Sequence, residues 1–143
     1  MTLPLQLAAS RCAAGLLHLA GVAVIRDGNV LTLNYITLEV AEACSGMRSL
    51  VTLVALIAVY AVACEATLRR TILLLLAAVP VAIAGNGLRV AFTGLLAAQL
   101  GDGAARGFVH DATGWVAFVL MCAAIVAVHA AAARTVRLME PAT

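Results

Sequence analysis

The sequence predicts an all-α, polytopic transmembrane helical bundle of about four spans, with one short extended or hairpin element between the first and second. Three observations carry that expectation. Of 143 residues, 64% are hydrophobic and only 11% charged, at a mean hydropathy of +1.09, more apolar surface than a water-soluble domain of this size can hide. Aromatic residues are only 4%, and the dominance of alanine and leucine suits packed membrane helices better than the alternating strands of a barrel. Finally, arginines delimit apolar runs of membrane-crossing length.

The first run, residues 3–25, holds Arg11 and His18 as its strongly polar members. It is too long for a signal-peptide core, and no small-x-small cleavage site follows it before Arg26. Arg26-Asp27-Gly28-Asn29 is a turn signal, and the β-branched stretch from Val30 to Val40 reads as an extended element or hairpin at the membrane surface. Residues 49–66 form the second span, closed by Arg69-Arg70. The third, residues 71–89, carries Pro80 as a kink and ends at Asn86-Gly87-Leu88-Arg89; Val90 to Leu100 is short for a crossing and is read as bending along the surface or re-entering. After the loop at Gly101-Asp102-Gly103, the fourth span covers residues 113–133, with Trp115 as an interfacial anchor. The whole chain, 1–143, reads as a single transmembrane domain.

Composition also excludes functions. A net charge of +2 is too small to argue for nucleic acid. The cysteines at 12, 44, 64 and 122 form no CxxC pair and no ligand spacing, so no disulfide framework, metal or cofactor is expected.

The polar residues with chemical potential gather in one stretch, Leu38 to Leu50. It combines Glu39, Glu42, Cys44, Ser45, Gly46 and Arg48 and runs straight into an apolar segment. A thiol at a helix N-terminus beside a cation is drawn toward its thiolate; taken alone, however, a membrane cysteine is ordinarily inert packing. Heights sharpen the picture. Climbing about 1.5 Å per residue from the arginines assigned to the cytoplasmic side, Arg89 stands about 28 Å above Arg70, Cys44 about 37 Å above Arg69 and His110 about 36 Å above Arg134. With a hydrocarbon core of about 30 Å, all three fall near the outer interface, whereas His129, Cys64 and Cys12 fall toward the cytoplasmic side. A thiolate attacks an acyl carbon, an imidazole carries the proton, and a guanidinium stabilises an oxyanion. Asn86, three residues before Arg89, shares its helical face and can orient it. Individually, each of these polar groups is also compatible with a structural role at a helix end.

Glu42-Ala43-Cys44-Ser45-Gly46-Met47-Arg48, Asn86-Gly87-Leu88-Arg89 and His110-x-x-x-Gly114-Trp115 resemble, in order and spacing, the three signature motifs of the exosortase/archaeosortase family. The resemblance runs from about Leu19 to Trp115. It implies a polytopic membrane cysteine transpeptidase or protease of the inner membrane, with its active site facing outward. Its substrates would be membrane-anchored proteins carrying a C-terminal sorting tail: a short motif (Pro-Glu-Pro in the bacterial branch), a transmembrane helix and a basic end. By the same resemblance Cys44 is the nucleophile, Arg89 the substrate or oxyanion stabiliser and His110 the general acid/base, with Asn86, Arg48, Glu42, Ser45 and Gly46 in support. Typical members carry more spans upstream, which implies either a minimal form or an absent N-terminal half, with partner helices replacing the missing spans. Two other readings compete: a truncated, non-catalytic membrane binding module of the same family, and a thiol-redox membrane protein, which would need a resolving cysteine beside Cys44.

Overall fold

One long helix runs through the middle of the molecule and every other helix packs on it. In the computed structural model, which describes residues 2–33, 36–40, 47–63, 67–101 and 108–139, this helix is α3 (Leu68–Leu100). In chain order it follows α1 (Thr2–Leu19), the strands β1 (Val24–Asp27), β2 (Val30–Leu33) and β3 (Ile36–Glu39), and α2 (Met47–Ala63); α4 (Phe108–Met139) comes last.

Helix α1 stops six residues short of the expected span end at residue 25. Gly21, at φ +76°, lets the chain turn back so that its N–H bonds to His18 O at 3.0 Å, while Val22 N–H reaches Leu17 O at 2.9 Å. A left-handed glycine closing the last carbonyls is an efficient helix stop, and the β-branched Val24 and Ile25 beyond it enter a strand instead. The expected extended element is a three-stranded antiparallel sheet in the order β1-β2-β3. Asp27 pairs with Val30 across a turn containing Gly28 at φ +59°, and Leu33 pairs with Ile36. Alternation puts Leu31 and Leu33 into the protein.

Two apolar cores lie along α3. The first joins Ala13, Ala14 and Leu17 of α1 and Val24, Leu31, Leu33 and Val40 of the sheet region to Val90 and Ala91 of α3. The second joins Leu53 and Ile57 of α2 and Ala117 and Met121 of α4 to Leu74, Ala78 and Ala82 of α3. The sheet thus sits against the C-terminal half of α3, α2 holds its N-terminal half, and α4 packs along both. Ser10, fully buried, ties α1 to the sheet: its hydroxyl lies 3.0 Å from both Leu7 O and Gly28 O and shares its one proton between them.

Two further boundaries differ from expectation. Helix α3 neither ends at Arg89 nor bends away; it continues to Leu100, where Gly101 at φ +88° donates to Ala97 O at 2.9 Å. Nothing between Leu88 and Leu100 breaks a helix apart from Gly94, and Gly94 packs beneath Leu17, Leu33 and Leu38, so tertiary contact compensates its weak propensity. Helix α4 extends beyond the expected 113–133 at both ends. The second span, expected over 49–66, is the 17-residue α2; residues 64–66 lie outside the described residues.

Among the described residues, two helices are long and apolar enough to cross a membrane, α3 and the Asp111–Ala132 part of α4, and α2 is a shorter apolar helix. Their apolar windows are only 28% and 11% buried. Leucines and valines left bare to that degree, such as Leu76, Val116, Val119 and Val126, belong in lipid rather than water. The expected first crossing does not meet the same measure: α1 has 18 residues and carries Gln6, Ser10, Arg11 and His18.

Candidate active site

The motif Asn86-Gly87-Leu88-Arg89 lies in α3 where it is sandwiched between α1 and α4. Asn86 and Gly87 are buried, Leu88 points outward and Arg89 is half-buried with its Nε shielded from solvent. Gly87 makes room for α1: a Cβ built there would fall 2.6 Å from both Cβ and Sγ of Cys12. This contact corrects the height assigned to Cys12. The cysteine is level with Gly87, two residues from Arg89, rather than near the start of α3. Helix α1 runs alongside the C-terminal half of α3, with Cys12 on Gly87 and Leu17 on Gly94, so it does not begin at the level of Arg69-Arg70.

Arg89 faces the other way, onto α4. A Cβ built on Gly114 would lie 3.2 Å from Cζ and Nη2 of Arg89 and 3.5 Å from Nε. The guanidinium therefore rests close on the α4 backbone, where a side chain larger than glycine's would crowd it. One turn of α3 earlier, Gly85 faces Met121 in the same manner. The pairings Gly85 with Met121 and Arg89 with Gly114 make the two helices antiparallel. His110 is four residues before Gly114, about 6 Å along the axis, so its backbone and Arg89 share one end of the helix pair. The side chain of His110 lies outside the described residues. The spacing between His110 and Gly114 is the signal that could have revealed Gly114 as the seat of Arg89; it is one helical turn.

Glu42, Cys44, Ser45 and Gly46 also lie outside the described residues. What is described is how the chain enters and leaves them. Val40 N–H bonds to Asn29 O at 2.9 Å and Asn29 Nδ2 donates to Val40 O at 3.4 Å, so the β1–β2 turn region holds the strand exit. The chain resumes at Met47, the first residue of α2. Arg48 is exposed, and its carbonyl accepts the Thr52 hydroxyl at 2.8 Å. Counted from the short connection between α2 and α3, Met47 is 16 residues from Ala63 and Ala84 is 16 residues from Leu68. Arg89 is five residues beyond that level, about 8 Å.

A groove of about 400 Å³ opens between α3 and α4 beside Arg89, with Leu88 and Phe92 on one side and Val116 and Leu120 on the other. A second, about 300 Å³, lies between α2 and α4 over Leu74. One end of it holds a pair absent from the sequence reading: Tyr60 Oη and His129 Nε2 are 2.9 Å apart, with their rings edge to face at 5.2 Å. No local signal could reveal a contact between residues 69 positions apart. His129 is 15 residues from Gly114 along α4, about 22 Å, well away from Arg89. Among the described residues, no group of three or more His, Cys, Asp and Glu side chains could hold a metal ion.

Fold and site together define a class: a mostly helical membrane protein with an arginine embedded between its two longest apolar helices, close to a histidine-bearing helix end. The chain belongs to the transmembrane exosortase family, whose model matches residues 1–127 and so takes in all three motifs. Comparisons with curated proteins and with solved structures gave no match.

Proposed function

We propose that the protein is a membrane cysteine transpeptidase or protease that removes C-terminal sorting tails from exported proteins at the outer face of the inner membrane. The family assignment over residues 1–127 supports the class of reaction. The observation that carries the site is the seating of Arg89 on Gly114, one helical turn from His110. A guanidinium held against backbone by packing is fixed before substrate arrives, as electrostatic stabilisation of a transition state requires.

The thiolate of Cys44 attacks the scissile carbonyl carbon just outside the substrate's membrane helix, and the carbonyl π pair moves onto oxygen. Arg89 stabilises that oxyanion or holds the substrate next to it. As the intermediate collapses, the C–N bond breaks, the tail leaves as an amine protonated by His110, and a thioester remains on Cys44. An acceptor amine or water then attacks the thioester, gives its proton to His110 and releases the thiolate. Asn86 steadies Arg89, while Arg48, Glu42, Ser45 and Gly46 shape the surroundings of the thiol. Substrate meets enzyme within the bilayer, which raises its effective concentration without a deep aqueous pocket. Helices α1 and α2 complete a four-span arrangement, and partner helices supply any further spans.

The test is co-expression with a tailed substrate, followed by mass spectrometry for a thioester on Cys44. A substrate-dependent adduct on Cys44 and complete loss of cleavage in Cys44→Ala are expected. Cleavage retained by Cys44→Ala overturns the proposal.

A further inference from the structure

Building on the proposed tail-processing reaction, we infer that the α3–α4 groove is where the substrate's transmembrane helix docks, with Arg89 taking a carboxylate at the outer end of that helix. Four large apolar residues, Leu88, Phe92, Val116 and Leu120, line the groove and are each 44–61% exposed. Between them, Arg89 and Thr113 are polar members of the lining. An apolar trough with a half-buried guanidinium set in its wall is matched in charge by an apolar segment that presents one anion at the same height.

Length and position agree with that occupant. From Ala112 to Leu120 the groove follows α4 over nine residues, about 12 Å or roughly two helical turns. This is enough to grip one end of a membrane helix but not to enclose it, so the remainder of the helix stays in lipid and is free to enter sideways. A carboxylate on Arg89 would hold the helix end within a turn of the His110 backbone, where the peptide bond to be cut must lie. The second groove, between α2 and α4, holds no arginine; its polar lining is the Tyr60–His129 pair. It does not match an anionic helix end.

The experiment places a photo-crosslinking phenylalanine analogue at Val116, and separately at Val126 in the second groove, in cells expressing a tailed substrate and in the Cys44→Ala background so that substrate is retained. Capture of the substrate tail from position 116 and not from 126 is expected. Val116→Trp in the otherwise unaltered chain should lower processing on the order of tenfold or more by filling the groove, while Val119→Trp on the lipid-facing side of the same helix should not. Neutralising the substrate's outermost acidic residue should weaken capture at 116. Crosslinking to lipid alone, capture from 126 instead, normal processing by Val116→Trp, or indifference to the substrate's acidic residue would overturn the groove assignment. None of these results bears on the chemistry at Cys44. Conversely, cleavage surviving in Cys44→Ala would end the proposed reaction, while capture of the released tail helix from position 116 and not from 126 would still report on the groove.

Discussion

Replacing Gly114 with alanine adds one methyl group at the point where the Arg89 guanidinium packs tightly on α4. The new Cβ would sit 3.2 Å from Cζ and Nη2 of Arg89, whereas comfortable contacts between such atoms are about 3.5–4.0 Å. The guanidinium must therefore retreat by about 0.3–0.8 Å. Two effects on stability oppose each other. Alanine gains about 1 kcal/mol over glycine inside a helix, while crowding the arginine costs about 1–3 kcal/mol if its neighbours cannot yield. Net stability should thus change little, within about 2 kcal/mol. Catalysis has no such compensation. A 1 Å misplacement of a positioned group can cost about 100-fold, so a shift of about half that should lower processing roughly tenfold. Gly114→Leu, which drives a branched side chain into the guanidinium, should be inactive or nearly so. The assay is tail removal from a co-expressed substrate, normalised to the membrane level of each variant, alongside thermal unfolding in detergent. Near-normal processing by a folded Gly114→Leu variant would refute the claim that Arg89 works from this seat.

Arg89→Lys should lose at least about tenfold in processing although the charge is kept, because an ammonium cannot present two coplanar donors; the same co-expression assay reads it. His110→Ala should be inactive and His129→Ala active, with His129→Ala losing only about 1 kcal/mol of stability through its bond to Tyr60; equal losses of processing would contradict the separation of the two histidines along α4. Gly87→Ala should destabilise the α1–α3 contact by about 1–3 kcal/mol, measured as a drop in detergent Tm, and Cys12→Gly in the same chain should restore part of it by vacating the space. A membrane-impermeant thiol reagent should label Cys44 from outside intact cells and Cys64 only after permeabilisation, and the opposite order would invert the proposed orientation.

The residues alone determined a good deal about this protein, and for reasons of local physics. A bilayer demands long apolar runs with their backbone bonded internally, so the helices around Val54, Leu74 and Val119 were legible as composition. The turn at Gly28 and the β-branched residues after it announced strands. The motifs around Cys44, Arg89 and His110 pointed to the family that the match over residues 1–127 establishes. Where each helix ended was less legible. Gly21 stops α1 through a left-handed turn that hydropathy does not register, and α3 passes Gly94 because three leucines pack over it.

Only the tertiary structure decided who touches whom. Counting height from arginines assumed that every helix starts on a common plane. Helix α1 does not, because the absent side chain at Gly87 docks Cys12 high on α3. The seat of Arg89 on Gly114, the groove beside it and the pairing of Tyr60 with His129 all arise between helices. Periodicity reports which face of a helix is apolar. It says nothing of which other helix that face will meet, since in lipid the choice turns on close packing at small residues rather than on hydrophobicity.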